Sequence, residues 1–188
     1  ISTTTSLVLA AMGHKVIKHG NYAVSSSCGS SNVLEELGFT FKSDEKSLEN
    51  ELAQSNICFL HAPLFHPAMR FVGPIRKELG MKTFFNLLGP LLNPAKVPKQ
   101  LTGVYSKEVF DLYRGFFEAG EKKFGIVYAA DGYDEISLTS SFDISTKAGF
   151  KTYEPSDIGF ETYAQSELSG GETVAQSADI MYKILQRE

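Results

Sequence analysis

The chain is poor in features that would tie it to an oxidising compartment, to nucleic acid or to a bilayer. It has two cysteines in 188 residues, Cys28 and Cys58, in unrelated contexts and without metal-ligand spacing. Neither a disulfide framework nor a zinc site is expected, and a reducing, cytoplasmic setting fits. It has no basic stripe: 18 basic and 22 acidic side chains are interspersed for a net charge of -4, which argues against a nucleic-acid partner. No apolar run approaches the roughly 20 residues that span a bilayer, and no basic segment followed by an apolar one begins the chain, so no membrane partner is expected. There is no internal repeat, low-complexity tract or linker, which points to one α/β domain over residues 1–188. Nucleophile-elbow, Walker and dinucleotide fingerprints are also missing.

What is present is enough apolar material, 43% of residues, for a real core. Hydroxyl residues Ser2 to Thr5 precede an apolar run ending at Gly13, the pattern of a capped, buried helix. A strand is expected over Lys15 to Lys18, then a polar loop over Ser25 to Ser31 and a helix from Asn32 to Leu37. Further helices are expected over 45–54 and 69–79, with the apolar strand Ile57 to Leu60 between them. Leu101 to Tyr105 and Phe124 to Ala130 read as strands around an amphipathic helix, Lys107 to Ala119, with Val109, Leu112, Tyr113 and Phe116 on one side. Shorter edge strands follow over 136–152. The alternation predicts a mostly parallel central sheet flanked by helices. Asn86 to Lys99, with Pro90, Pro94 and Pro98, reads as irregular. Ile1 is not a natural start, and Ile180, Met181, Ile184 and Leu185 keep helical spacing to the far end, so the chain reads as a piece of a longer protein.

Three groups of residues can carry chemistry. Lys18-His19-Gly20-Asn21, followed by the serines of 25–31, sets a cation, an amide, glycines and hydroxyls between a strand and a helix. Phosphate recognition uses such a set: backbone N–H groups, a helix N-terminus and a lysine. Ser2 and Thr3 can add donors at a second helix start. Asp131-Gly132-Tyr133-Asp134-Glu135 follows a buried strand, and ligands bind beyond the carboxyl ends of strands in open α/β sheets. The adjacent carboxylates of Asp134 and Glu135 suit magnesium, which takes one or two carboxylates plus substrate phosphates. His66 and Arg76 flank a helix, where an arginine can clamp a carboxylate.

Taken together, the segments resemble the anthranilate phosphoribosyltransferase family, whose fold is shared with pyrimidine nucleoside phosphorylases. The likeness rests on Ile1-Ser2-Thr3, Lys18-His19-Gly20-Asn21, Gly29-Ser30 ahead of Val33 to Gly38, and His66-Pro67-Ala68-Met69. It rests further on Asn86-Leu87-Leu88-Gly89-Pro90-Leu91-Leu92-Asn93-Pro94 and on Asp131 to Glu135. The resemblance implies transfer of phosphoribose from phosphoribosyl diphosphate to anthranilate, with two Mg2+ ions per site. It implies donor binding by Ile1, Ser2, Thr3, Lys18, His19, Gly20, Asn21, Tyr22, Ala23, Val24, Ser25, Ser26 and Ser30. Metal contacts would come from Ser2, Asp134 and Glu135, and anthranilate contacts from Asn21, His66 and Arg76. Tyr22 stands where family members often have arginine.

The resemblance also implies that a glycine-rich loop and a small N-terminal helical domain belong upstream of Ile1, and that the parent is a homodimer through that domain. A pyrimidine nucleoside phosphorylase, or a non-catalytic relative that binds a phosphorylated ligand, are the alternatives. The Asp134-Glu135 pair and the Asn86 to Pro94 run argue against the first. Lys18, Asn21, Arg76 and the two carboxylates argue against the second.

Overall fold

The computed structural model describes residues 1–22, 28–68, 71–72, 75, 78, 84–168 and 170–187. The chain forms two compact units, Ile1–Ala95 with Gly170–Glu188, and Lys96–Ser169. Much of the helix expected over 69–79 lies outside the described residues.

In the first unit, α1 (Ser2–Ala11) leads to β1 (Val16–Gly20), followed by α2 (Ser30–Glu36), α3 (Glu45–Ser55) and β2 (Ile57–His61). β1 and β2 pair in parallel, with Val16 opposite Ile57 and Gly20 opposite His61. All five β2 residues are buried, as a strand covered on both faces must be, hence its unbroken apolar run. Asp44 starts α3 by accepting from the Ser47 N–H at 2.9 Å, a side-chain cap. The core joins Ala10, Val33, Leu34, Ile57 and Phe59 to Ala178 and Met181 of α7 (Val174–Gln186). Thr173 caps α7 by accepting from the Gln176 N–H at 3.2 Å. Cys28 and Cys58 are free thiols, and burial pushes the Cys58 thiol up to about 11.

Between β2 and the second unit come α4 (Ala62–Phe65), α5 (Phe84–Leu88) and a 3-10 turn, Gly89–Leu91. The stretch expected to be irregular from Asn86 therefore begins helically. Pro90 is tolerated because it sits at the start of the turn, where its missing N–H has no partner to lose. The Asn93 side chain then donates to the Ile17 carbonyl at 3.4 Å, fastening this run to β1.

The second unit orders its sheet β3-β4-β5-β6, from β3 (Lys99–Gly103), β4 (Lys123–Ala129), β5 (Phe142–Thr146) and β6 (Gly149–Tyr153). β3 and β4 are parallel; β4, β5 and β6 are antiparallel. The α/β class with parallel pairing is as expected, and the antiparallel part is the late pair of edge strands. α6 (Lys107–Glu118) crosses between β3 and β4 and buries Phe110, Tyr113 and Phe117. The expected face was offset: Leu112 is 59% and Phe116 58% exposed. Phe117 stacks on Phe124 of β4 with centroids 5.3 Å apart, so contact with the sheet decides which of two apolar stripes turns inward. Among the described residues no helix is long and apolar enough to cross a membrane.

Candidate functional site

A donor-rich cradle forms in the first unit where the start of α1, the end of β1 and the start of α2 converge. Among the described residues no side chain caps the N-terminus of α1. The nearby hydroxyls point back along the helix instead, Thr5 donating to the Ile1 carbonyl at 3.2 Å and Ser6 to the Ser2 carbonyl at 2.8 Å. The expected capping by this hydroxyl run is thus replaced by bonds to carbonyls four residues back. Thr3 is buried at 6% exposure, whereas Ile1 and Ser2 are exposed.

The Lys18 ammonium donates to the Ser2 hydroxyl at 3.4 Å, so two residues assigned to phosphate and metal contacts meet across 16 positions of sequence. Gly20 permits the next approach: a Cβ there would lie 2.9 Å from the Ser30 hydroxyl oxygen. Ser30 opens α2, and Ser31 beside it donates its N–H to the Asn21 carbonyl at 3.4 Å. The Ser31 hydroxyl lies 3.0 Å from His61 Nδ1, and His61 stacks on Phe41 with centroids 4.6 Å apart. His61 therefore buttresses the α2 start. Its only sequence signal is its place at the end of a buried strand.

His19 and His66, distant in sequence, face each other with their Nε2 atoms 3.2 Å apart. Burial holds the His19 pKa below its ordinary value, with His66, Lys18 and His61 adding to the shift and the Gly89 carbonyl opposing it. Tyr22 turns elsewhere: its hydroxyl donates to Glu35 at 2.7 Å, and it lines an open groove of about 610 Å3 with Phe41, His61 and Leu64. Glu35 makes that groove unsuited to anions. Ala23, Val24, Ser25, Ser26 and Arg76 lie outside the described residues.

In the second unit, Asp134 and Glu135 occupy the turn after β4, Asp134 exposed and Glu135 half-buried. The turn is held closely. The Ala129 N–H donates to the Tyr133 carbonyl at 3.0 Å and the Gly132 N–H to the Ala129 carbonyl at 2.9 Å. Asp131 accepts from the Thr139 hydroxyl and, at 3.3 Å, from the Gln165 amide. Burial alone would raise the Asp131 pKa, but hydrogen bonds from Thr139, Gln165 and Ser140 outweigh it and hold the carboxyl below the usual range. No group of three or more His, Cys, Asp or Glu suited to a metal occurs among the described residues. Two hard carboxylates alone fit magnesium, which keeps waters and takes phosphate oxygens, rather than a structural zinc, which takes four protein ligands.

The whole chain, residues 1–188, matches the family described as glycosyl transferase family, a/b domain. The anthranilate phosphoribosyltransferase of Cytophaga hutchinsonii is 49% identical over 188 residues, covering 100% of this chain and 57% of that protein. Among solved structures, anthranilate phosphoribosyltransferase from Thermus thermophilus superposes with a TM-score of 0.88 at 35% identity, over 98% of this chain and 55% of that one. The Saccharomyces cerevisiae enzyme in complex with PRPP and Mg gives 0.88 at 32% identity, over 97% and 52%. The chain thus spans just over half the length of these proteins.

Proposed function

The chain belongs to the glycosyl transferase family a/b domain, and on that premise we propose that it is the α/β catalytic part of an anthranilate phosphoribosyltransferase. The protein containing it would transfer phosphoribose from phosphoribosyl diphosphate to anthranilate. The observation that carries this reading is the Lys18–Ser2 contact at the start of α1. A lysine, the start of a helix and the Gly20–Ser30 approach together make a site for a polyanion. The name of the relatives and the PRPP and Mg complex of the yeast enzyme support the choice of polyanion.

In this reading Ile1 to Thr3, Lys18 to Ser26 and Ser30 bind the diphosphate and ribose of the donor. Asp134 and Glu135 would hold one magnesium ion and the Ser2 hydroxyl would touch another, and these ions when bound would neutralise charge on the leaving diphosphate. As the bond from ribose C1 to diphosphate breaks, Lys18 and the N–H groups of α1 meet the negative charge that develops. Asn21 and Arg76 orient anthranilate through its carboxylate, and His66 lines its approach. The amine then attacks C1 from the opposite face, so positioning supplies much of the acceleration and a strong base is not required.

The test is an assay of the full-length protein with phosphoribosyl diphosphate, magnesium and anthranilate, following loss of anthranilate fluorescence. Fluorescence is expected to fall only with all three present, and Lys18→Met is expected to slow it by about 100-fold or more, the range for removing one charge-stabilising donor. Phosphate-dependent cleavage of thymidine without anthranilate loss would instead identify a nucleoside phosphorylase. Neither activity would identify a binding protein.

A further inference from the structure

Two features of the second unit converge on the Asp134–Glu135 turn. The first is at the end of β3. A Cβ built on Gly103 would lie 1.5 Å from the Asp134 carbonyl oxygen and 2.5 Å from its carbonyl carbon. Both are backbone atoms, so no rotamer change relieves the clash. An ordinary contact of about 3.5 Å requires the Asp134 backbone to move by roughly 2 Å. The bare glycine therefore lets residue 134 sit against the strand end.

The second feature is the hydroxyl run Ser137-Leu138-Thr139-Ser140-Ser141, which the proposed chemistry does not use. Thr139 donates its hydroxyl to the Asp131 carboxylate, and the Asp131 N–H donates to the Ser140 hydroxyl at 3.3 Å. The Thr139 N–H donates to the Ser137 hydroxyl at 3.0 Å. The Ala130 N–H donates to the Ser141 carbonyl at 2.9 Å and the Tyr163 N–H to the Leu138 carbonyl at 2.9 Å. Residues on both sides of Asp134 and Glu135 are thereby tied to one another, while the turn between them rests on Gly103.

We propose that Gly103 and the Asp131–Thr139 hydrogen bond are positioning elements that fix where the Asp134 and Glu135 carboxylates stand. The proposal rests on the reading that these carboxylates take magnesium. Partners one shell out from a metal ligand typically change metal affinity by about 10–100-fold when removed. Metal sites tolerate misplacement of only about 0.5 Å, well below the shift an added Cβ demands.

The experiment uses the full-length protein that contains this chain, with phosphoribosyl diphosphate present, and Mn2+ as a paramagnetic probe. Affinity is read from the spectrum of free Mn2+, and location from broadening of the Asp134 and Glu135 amide resonances. The native chain is expected to bind with broadening at both amides, and Asp134→Asn with Glu135→Gln to abolish it. Gly103→Ala and Thr139→Val are expected to weaken binding by about 10–100-fold with circular dichroism unchanged. Thr139→Ser, which keeps the hydroxyl, is expected to restore it. If Gly103→Ala and Thr139→Val bind like the native chain while the double carboxylate variant does not, the positioning role is wrong and the metal reading stands. If the native chain shows no binding, or the double variant binds equally well, the metal reading fails and takes the positioning role with it. Should Gly103→Ala unfold, the Thr139→Val and Thr139→Ser pair decides.

Discussion

His19 meets His66 through facing Nε2 atoms, and its pKa lies below the ordinary value chiefly because of burial. The unfolded chain, with an ordinary histidine pKa of about 6.5, takes up the proton first as the medium is acidified. The stability contributed by neutral His19 is therefore present in full above that pH. It is lost as pH falls through about 6.5 and on through the lower folded pKa. His61, lowered mainly by burial and opposed by Glu35, acts with the same sign. The melting temperature is expected to drop between pH 7.5 and 5.5, and His19→Gln to flatten that slope; an unchanged slope in the variant would assign it to other groups. Asp131, held low, contributes in a separate window below about pH 4, the ordinary carboxylate value, where protonation releases its hold on Thr139.

Helix α6 has two apolar stripes with very different environments. Ser106 starts it by accepting from the Val109 N–H at 3.4 Å, and Phe110 then packs edge-on against Phe150 with centroids 5.8 Å apart. Phe117 is 3% exposed and Phe116 is 58% exposed. Phe117→Ala is expected to cost about 3–5 kcal/mol, and Phe116→Ala to stay within about 0.5 kcal/mol. Urea unfolding of both variants checks the difference, and equal costs would place the inner face wrongly. Apolar residues at 109, 110, 112, 113, 116 and 117 make either stripe plausible from sequence, and only packing on β4 chooses between them. By contrast, β2 was legible because its four successive apolar residues, Ile57 to Leu60, leave no alternation to misread, and the structure adds only buried His61. Lys18 and Ser30 were legible as candidates because a cation and hydroxyls between a strand and a helix have the composition of an anion cradle, and the structure brings Gly20 against Ser30 and Lys18 to Ser2. The Gly103–Asp134 contact was not, because a glycine in a strand can mark a close backbone approach but nothing local says which backbone arrives. The His19–His66 pairing was equally hidden, since nothing local signals a partner brought in by tertiary structure.

Among the described residues each of the two units buries its own apolar residues. Ala10, Val33, Ile57, Phe59 and Met181 fill one, while Phe110, Phe117, Phe124, Ile126 and Phe142 are buried in the other unit. Two cores favour unfolding in more than one step. The calorimetric enthalpy is expected to exceed the van't Hoff enthalpy in a heating scan, and Phe117→Ala to shift one transition more than the other. A ratio of one, with a single transition moved as a block, would mean that the units unfold together. The order of these units along the chain also bears on synthesis. Lys96–Ser169 is interposed within the first unit, which resumes at Gly170 and closes its core only with Ala178 and Met181 of α7. A ribosome adding about 5–20 residues per second synthesises the entire interposed unit before the last helix of the first. The later-encoded unit can thus mature on the nascent chain while the earlier one waits, its apolar face open to chaperones until α7 emerges.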